Sequence, residues 1–204
     1  MIKWIFFDVG STLVDETEAY DHRIRDMIAG TNITFKDFDD VRIALARKGL
    51  DGNSAAIEHF NLSKAPWHKE DEFPYKDAHS VLSELQGRGY KLGIIANQIE
   101  GTAERFEKWS LRHFFDVIAA SAEIGFAKPD ERIFKKALEL AGCVAEECVM
   151  VGDRLDNDIY PAKKIGMTTV WMKNGLAQYQ KKELGMSVAD YQLEKLSELL
   201  SIFD

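Results

Sequence analysis

Residues 5–8 form a short apolar run, Ile-Phe-Phe-Asp, that ends on a carboxylate and is followed by Val9, Gly10, Ser11 and Thr12. A continuous aromatic and β-branched run predicts a strand that is covered on both faces, as in parallel sheets. Ligands of such sheets bind beyond the carboxyl ends of the strands, so we expect this aspartate at the mouth of the sheet. The glycine allows a tight turn or a close approach of the backbone to a ligand. The alternative is that the aspartate only caps a turn or helix after the strand.

The chain beyond residue 75 alternates between amphipathic helices and buried strands. Further strands are predicted at 90–96, 117–120, 148–151 and 168–172, and helices at 77–87, 102–109, 131–141, 159–165 and 193–202. Because crossovers between parallel strands are right-handed, this order predicts an α/β fold with a mostly parallel sheet and helices on both faces.

Residues 15–74 have a different character. They are highly charged, carry apolar residues at helical spacing over 16–28, 36–48 and 55–60, and contain no convincing strand. We therefore expect a small helical unit inserted after the first strand. The acidic run Glu70-Asp71-Glu72 near its end is interpreted as solvated surface.

Composition excludes several classes of function. The chain has 204 residues, of which 46% are hydrophobic, so a sizeable core is expected. A formal net charge of -8 argues against a nucleic-acid partner, because such binding depends on Lys and Arg at phosphates. No run approaches the ~20 apolar residues of a membrane span, and no signal-peptide core is present. With only Cys143 and Cys148, no disulfide framework is indicated, and we expect a cytoplasmic protein without a membrane partner. The oligomeric state is not indicated.

The predicted strand at 148–151 is also followed by acids. Gly152 and Asp153 come directly after it, and Asp158 lies one helical turn further on. Parallel strands end at the same edge of a sheet, so we expect Asp153 beside Asp8. Such a set of carboxylates suits a hard cation, and Mg²⁺ typically takes one or two carboxylates plus phosphate oxygens and water. The alternative is a capped and solvated helix start, which Asp and Asn also favour.

Lys128 precedes Pro129 in a predicted loop, and a proline disfavours the helical conformation of the residue before it. A solvated surface lysine is the ordinary interpretation. Next to Asp8 and Asp153, an extended lysine has a second role available, since its ammonium would screen the acids from one another and contact phosphate as a point charge.

In combination, these segments resemble the haloacid dehalogenase superfamily of aspartate-dependent phosphohydrolases and dehalogenases over nearly the whole chain. The first motif of that family, Asp-x-Asp-x-Thr, is matched at Asp8 and Thr12. The lysine of the third motif corresponds to Lys128, and the acids of the fourth correspond to Asp153 and Asp158.

The resemblance implies a Rossmann-like core of residues 1–14 and 75–204 with an α-helical cap of residues 15–74. It implies Mg²⁺-dependent hydrolysis of a small phosphorylated substrate through an aspartyl-phosphate on Asp8. The remaining expected roles are these: Lys128 and Thr12 join Asp8 as catalytic residues; Asp8, the Gly10 carbonyl, Asp153 and Asp158 hold the metal; Ser11, Asn97 and Gln98 bind the substrate.

Two positions depart from the family pattern. Gly10 stands where the phosphatases of the family have an aspartate that serves as general acid and base, a loss that typically lowers the rate ~100 to 10,000-fold. Ala96 stands where the second motif has a Ser or Thr. Nominal replacements for the missing acid are Asp15, Glu18 and His22. If the missing acid limits the rate, Gly10→Asp is expected to raise the hydrolysis of alkyl phosphates more than that of aryl phosphates.

These departures leave other functions open. A catalytically weak or silent phosphate-binding protein is compatible with Gly10 and Ala96. The metal-free dehalogenase branch has an aromatic residue at the position of Gly10, and the acid-rich segment 152–158 favours a metal instead. A receiver-type signalling domain also combines acids, Mg²⁺ and a Lys-Pro pair, but normally carries its phosphoacceptor on a later strand.

Overall fold

The computed structural model describes residues 1–180 and 189–203. The strands within these residues are β1 (Trp4–Phe7), β2 (Val14–Asp15), β3 (Phe73–Pro74), β4 (Lys91–Ala96), β5 (Val117–Ala120), β6 (Cys148–Gly152), β7 (Thr168–Met172) and β8 (Tyr191–Leu193). The α-helices are α1 (Thr17–Ile28), α2 (Phe35–Ala46), α3 (Gly52–His59), α4 (Ala78–Gly87), α5 (Thr102–Lys108), α6 (Ser121–Ile124), α7 (Glu131–Ala141) and α8 (Tyr160–Lys164). A π-helical turn over Leu155–Ile159 leads into α8, and short 3₁₀ turns occupy Lys69–Asp71, Arg112–Phe114, Ala145–Glu147, Leu176–Tyr179 and Leu196–Ser201.

The main sheet has six strands in the order β5-β4-β1-β6-β7-β8, and every neighbouring pair is parallel. The chain runs from β1 to β4 and β5 on one side, then crosses over to β6, β7 and β8 on the other. Adjacent strands whose connections leave in opposite directions create a crevice at their carboxyl ends. That crevice lies between β1 and β6, and the predicted α/β parallel architecture is confirmed.

Strand β1 is apolar throughout because both of its faces are covered. Ile5 and Phe7 face one buried layer, and Trp4 and Phe6 face the other. None of the four is more than 5% exposed. This arrangement is the physical reason for a continuous apolar run in place of an alternating one.

Helices α1, α2 and α3 form a separate apolar cluster around Ile24, Phe38 and Ala56. Helix α2 begins with a capping box, in which Thr34 and Asp37 satisfy each other's backbone N–H groups. At the ends of this helical segment, β2 and β3 pair as an antiparallel ribbon, with Val14 opposite Pro74. The expectation that residues 15–74 contain no strand is therefore wrong at both ends of that range. The limits of a cap at 15 and 74 fall on this ribbon and stay a prediction.

The carboxyl-terminal region also differs from expectation. The predicted α-helix at 193–202 begins on the last residue of β8 and is otherwise represented by the 3₁₀ turn Leu196–Ser201. Residues 181–188 and 204, which the expected core range 75–204 includes, lie outside the described residues. Among the described residues, every helix is too short or too polar to cross a lipid bilayer.

Candidate active site

The carboxyl ends of β1 and β6 bring two aspartates to the same edge of the sheet. Asp8 follows β1, and its backbone N–H donates to the Val151 carbonyl at 2.9 Å. Asp153 follows β6, and its carbonyl accepts a hydrogen bond from the indole Nε1 of Trp171 at 2.6 Å. Both loops are thereby fastened to neighbouring strands, which fixes the positions from which the two carboxylates extend.

Lys128 lies between two acids of this edge. Its Nζ donates to Asp8 Oδ1 at 2.6 Å and to Asp158 Oδ1 at 2.5 Å. Carboxylate oxygens of Asp8, Asp153 and Asp158 lie within 4.8 Å of one another. The side chain of Lys128 is 2% exposed and that of Asp158 is 1% exposed, so these two members of the cluster are shielded from water. The structure thus gathers the four charged residues that the motifs singled out, while their roles stay predictions.

Hydrogen bonds to the backbone hold the members of the cluster in place. The side-chain amide of Asn97 donates to the Lys128 carbonyl at 2.9 Å and accepts from the Lys128 N–H at 2.7 Å. Asp158 Oδ2 accepts from the Arg154 N–H at 2.9 Å. A Cβ at Gly152 would lie 2.5 Å from the Asp158 carboxylate, so the strand end has to be glycine for this close approach.

The pKa values of the cluster are set by burial and by opposing charges. Burial, and then the neighbouring carboxylates of Asp158 and Asp8, raise the pKa of Asp153 well above its ordinary value. Burial likewise raises the pKa of Asp158 to about 6, although the Lys128 ammonium opposes this shift. Burial alone would lower the pKa of Lys128, but the attraction of Asp158 and Asp8 outweighs it and raises that pKa. The acids therefore repel one another enough for additional positive charge to be favourable.

The donor set fits a magnesium ion. Asp8, Asp153 and Asp158 offer only hard oxygen ligands, which Mg²⁺ prefers over nitrogen or sulfur. Among the described residues, no side chain or N–H donates a hydrogen bond to the Asp153 carboxylate, although Asp153 is only 7% exposed. A buried acid with a raised pKa and no donor is in the state that a cation would relieve.

Three other predicted site residues, the catalytic candidate Thr12 and the substrate-binding candidates Ser11 and Gln98, lie around this cluster in different ways. Ser11 has a left-handed backbone with φ 53° and lines the cavity beside Asp8. Thr12 is fully buried, and within the described residues its hydroxyl has no hydrogen-bond partner. The side-chain carbonyl of Gln98 accepts a hydrogen bond from Arg105, and its backbone N–H donates to Ser121 Oγ at 3.1 Å. Substrate binding by Ser11 and Gln98 stays a prediction.

Gly10 approaches a side chain that sequence reasoning did not single out. A Cβ on Gly10 would lie 2.5–2.6 Å from the carboxyl atoms of Glu16. Burial, and then the carboxylate of Asp8, raise the pKa of Glu16 to about 8. Glu16 stands between β2 and α1, only eight positions after Asp8. The one signal in the sequence was its place among the acids that open the helical segment.

The three nominal acids lie elsewhere. Asp15 accepts a hydrogen bond from the Thr17 N–H at 2.9 Å. Glu18 is exposed, and His22 pairs with Asp71 at 2.8 Å. Asp15, Glu18 and His22 are all absent from the lining of the cavity that contains Asp8, whereas Glu16 belongs to it.

The cavity has a volume of about 540 Å³ and is bounded by both parts of the fold. The sheet side contributes Asp8, Lys128 and Asp153, and the helical segment contributes Tyr20 and Arg42 among others. An ion pair of 3.2 Å between Arg154 and Asp51 connects the two sides. The acid cluster therefore opens into a space large enough for a small metabolite.

Comparison with known proteins agrees with this geometry. Two curated relatives are glyceraldehyde 3-phosphate phosphatases. That of Methanocaldococcus jannaschii is 35% identical over 99% of this chain and 97% of its own length. That of Pyrococcus abyssi is 36% identical over 100% and 94%.

Solved structures show the same fold. A HAD phosphatase from Thermococcus onnurineus superposes with a TM-score of 0.65 at 27% identity, covering 98% of this chain and 97% of that one. A haloacid dehalogenase-like hydrolase from Streptococcus pneumoniae, at 20% identity, gives a TM-score of 0.68 over 100% and 99% of the two chains and supports the fold alone. The sequence model of the haloacid dehalogenase-like hydrolases matches residues 5–172. The chain therefore belongs to the haloacid dehalogenase-like hydrolase family.

Proposed function

We propose that the protein is a Mg²⁺-dependent phosphatase that hydrolyses small phosphorylated metabolites through an aspartyl-phosphate on Asp8. The observation that carries this proposal is the Lys128 ammonium held between Asp8 and Asp158, with Asp153 close by. The phosphatase names of relatives at 35% and 36% identity support the same reaction class.

In this proposal Asp8 is the nucleophile. Its Oδ1 is bound to Lys128, so the other carboxylate oxygen remains for attack on phosphorus. Covalent catalysis divides one difficult displacement into two easier ones. Lys128 fixes the carboxylate and places a positive charge where the phosphoryl oxygens gather negative charge. Asn97 acts through its two bonds to the Lys128 backbone, which supports a positioning role beside the proposed substrate contact.

Asp8, Asp153, Asp158 and the Gly10 carbonyl are the groups that would hold Mg²⁺. When bound, the ion supplies electrostatic stabilisation of the charge on the transferred phosphoryl group. Ser11 and Gln98 line the cavity next to these residues, which supports contacts with the substrate. The Thr12 hydroxyl is fully buried and has no hydrogen-bond partner among the described residues, so it remains available for the catalytic role proposed for it.

We further propose that residues 15–74 are the cap and that residues 1–14 and 75–204 are the core. The separate apolar cluster of α1–α3 and the ribbon of β2 and β3 at its base support this division. Substrate selection would then depend on cavity residues from the cap, such as Tyr20 and Arg42.

The experiment is Mg²⁺-dependent release of phosphate from p-nitrophenyl phosphate and from glyceraldehyde 3-phosphate. We expect turnover by the natural chain and a loss of at least ~1,000-fold in Asp8→Asn, because the amide is a far weaker nucleophile. Asp40→Asn is the matched control, since Asp40 lies on α2 with its side chain 63% exposed and paired with Lys36. It should retain full activity.

Two results would contradict the proposal. Full activity in Asp8→Asn would exclude the aspartyl-phosphate route. No turnover of a broad panel of phosphoesters would favour the silent phosphate-binding alternative, for which the fully buried Ala96 at the end of β4 is the supporting feature.

A further inference from the structure

Gly10 has no side chain, and the carboxyl group of Glu16 fills the space that a side chain at position 10 would occupy beside the nucleophile. An ideal Cβ at Gly10 would lie 2.5 Å from Glu16 Oε2, 2.6 Å from Oε1 and 2.6 Å from Cδ. A side chain at position 10 and the carboxyl group of Glu16 therefore compete for the same volume. A carboxyl group is present at this place although the residue at position 10 has none.

The backbone around Glu16 explains how its side chain reaches this volume. The ribbon strand β2 ends at Asp15 and α1 begins at Thr17, so Glu16 occupies the junction between them. Val14 is tied to the first loop by its bridge to Gly10. The junction is thus held against the loop that follows β1, and the side chain that leaves it projects into the cavity shared with Asp8 and Lys128.

Charged groups surround the Glu16 carboxyl. The acids Asp8, Glu72 and Asp15 raise its pKa and Arg105 lowers it, while Asp153 in the same cavity also responds to its charge. Glu72 already binds Arg105 at 3.1 Å. Among the described residues, none donates a hydrogen bond to the Glu16 carboxyl, so it is free to exchange a proton with a molecule in the cavity.

We propose that Glu16 is the acid–base catalyst of this enzyme, in the place of the aspartate that the chain lacks at position 10. The inference rests on the proposed phosphatase function. It assigns a catalytic role to a residue outside the motifs, at the start of the helical segment.

Hydrolysis then takes place in two steps. Asp8 attacks phosphorus, the bond from phosphorus to the ester oxygen breaks with its electron pair on oxygen, and the protonated Glu16 gives that oxygen its proton, releasing the alcohol. A water molecule then attacks the aspartyl-phosphate while the Glu16 carboxylate accepts a proton from it. The bond from phosphorus to the Asp8 oxygen breaks, the aspartate is regenerated, and inorganic phosphate leaves with Glu16 protonated again.

Glu16→Gln separates these two steps, because glutamine has nearly the same shape and moves no proton. Nitrophenolate leaves without a proton, so the first turnover of p-nitrophenyl phosphate should stay within ~10-fold of the natural chain. Steady-state turnover should fall ~100 to 10,000-fold because water is no longer activated. The expected time course is a burst of one nitrophenolate per protein molecule followed by slow steady-state formation of nitrophenolate. With glyceraldehyde 3-phosphate, an alkyl ester, the first turnover should fall as well.

Glu18→Gln is the matched control, two residues away on α1, exposed and outside the cavity lining. It should behave like the natural chain with both substrates. A double variant distinguishes a catalytic role of Glu16 from a structural one. In Gly10→Asp alone, the new side chain lies against Glu16, whereas in Gly10→Asp combined with Glu16→Ala the space for it is open. We expect the double variant to turn over alkyl phosphate at least ~10-fold faster than Glu16→Ala.

Failure of this inference differs from failure of the proposed function. Turnover that needs Asp8 but is unchanged in Glu16→Gln, or that falls equally in the burst and steady phases, would overturn the role of Glu16 alone. A double variant no faster than Glu16→Ala would do the same. An inactive natural chain would overturn the proposed function and this inference together.

Discussion

Lys128 is a buried cation whose nearest charged neighbours are Asp8 and Asp158, at 2.6 and 2.5 Å. Its side chain is 2% exposed, so water contributes little to the solvation of its charge. Each carboxylate in turn depends on the ammonium, since the neighbouring carboxylates repel it. The three groups are stable as a set, and removal of one leaves the others uncompensated.

Lys128→Met should therefore lower the free energy of unfolding by about 3–5 kcal/mol near neutral pH. The ammonium lowers the pKa of Asp158, so its loss lets that pKa rise further and the acid take up a proton more readily. The deficit should consequently be smaller at about pH 5 than at about pH 8. Chemical denaturation at the two pH values measures this.

Lys136→Met provides the comparison, because Lys136 lies on the surface of α7, 40% exposed, and within the described part of the chain its ion pair is with Glu139 at 2.9 Å. Its effect should be within about 0.5 kcal/mol and independent of pH. Similar losses in both lysine variants would contradict the idea that the buried set needs its cation.

Sequence reasoning could find Asp8 and Asp153 because parallel strands end at the same edge of a sheet, and it could find Lys128 because the following proline holds it extended. It could not find Glu16. Asp15, Glu16 and Glu18 have the same chemistry within four positions, and only the turn from β2 into α1 decides which one faces the cavity. The expected gain from Gly10→Asp stays a prediction, and the structure adds that the new side chain would meet the carboxyl group of Glu16.

At the level of elements, the segment that returns from the helical unit to the core is fastened by a buried glutamate. Glu72 accepts a hydrogen bond from the indole of Trp67 at 2.7 Å and one from Arg105 at 3.1 Å. Its side chain is only 4% exposed, so the expectation that residues 70–72 are all solvated is wrong for Glu72. The contact joins the segment before β3 to helix α5.

Glu72→Gln should lower the free energy of unfolding by about 1.5–3 kcal/mol, because the guanidinium of Arg105, on a side chain only 15% exposed, loses its charged acceptor. Thermal or chemical unfolding measures this. Glu70→Gln is the control two positions away, with a side chain 71% exposed, and its effect should be near zero. Equal effects at the two positions would show that Glu72 contributes only as a surface charge.

Element prediction succeeded where periodicity extends over several turns or over a fully buried strand. It failed for β2 and β3, which have two residues each, and for β8, which has three. Alternation cannot be recognised over so few residues, and only a partner strand from elsewhere in the chain makes them strands. The segment 193–202 has apolar residues at near-helical spacing, which the 3₁₀ turn Leu196–Ser201 uses in part.

At the scale of the whole molecule, one topological fact explains the site. Because β1 and β6 are adjacent while their connections leave in opposite directions, residues more than 140 positions apart meet at one crevice. The order of strands and helices in the sequence was enough to predict that meeting. The cavity above it was not predictable, because its walls depend on how α1–α3 lie over the sheet.

The acid cluster also makes the stability of the whole chain depend on pH. Burial raises the pKa of Asp158 from 3.8 to about 6 and that of Asp153 in the same direction. Between those values the folded chain keeps a proton that the unfolded chain has released. The contribution of these acids to the metal-free stability therefore declines as pH rises through that window.

Magnesium should reverse this trend. Binding to the carboxylates stabilises only the folded chain, by about 2.7 kcal/mol when Mg²⁺ is 100 times its dissociation constant. Protons compete for the same oxygens, so the Mg²⁺-dependent rise in the midpoint of thermal unfolding should be large at about pH 8 and small at about pH 5. In Asp153→Asn the rise should be lost, while Asp40→Asn on the surface should keep it. An equal rise at both pH values, or in both variants, would mean that the ion binds outside the cluster.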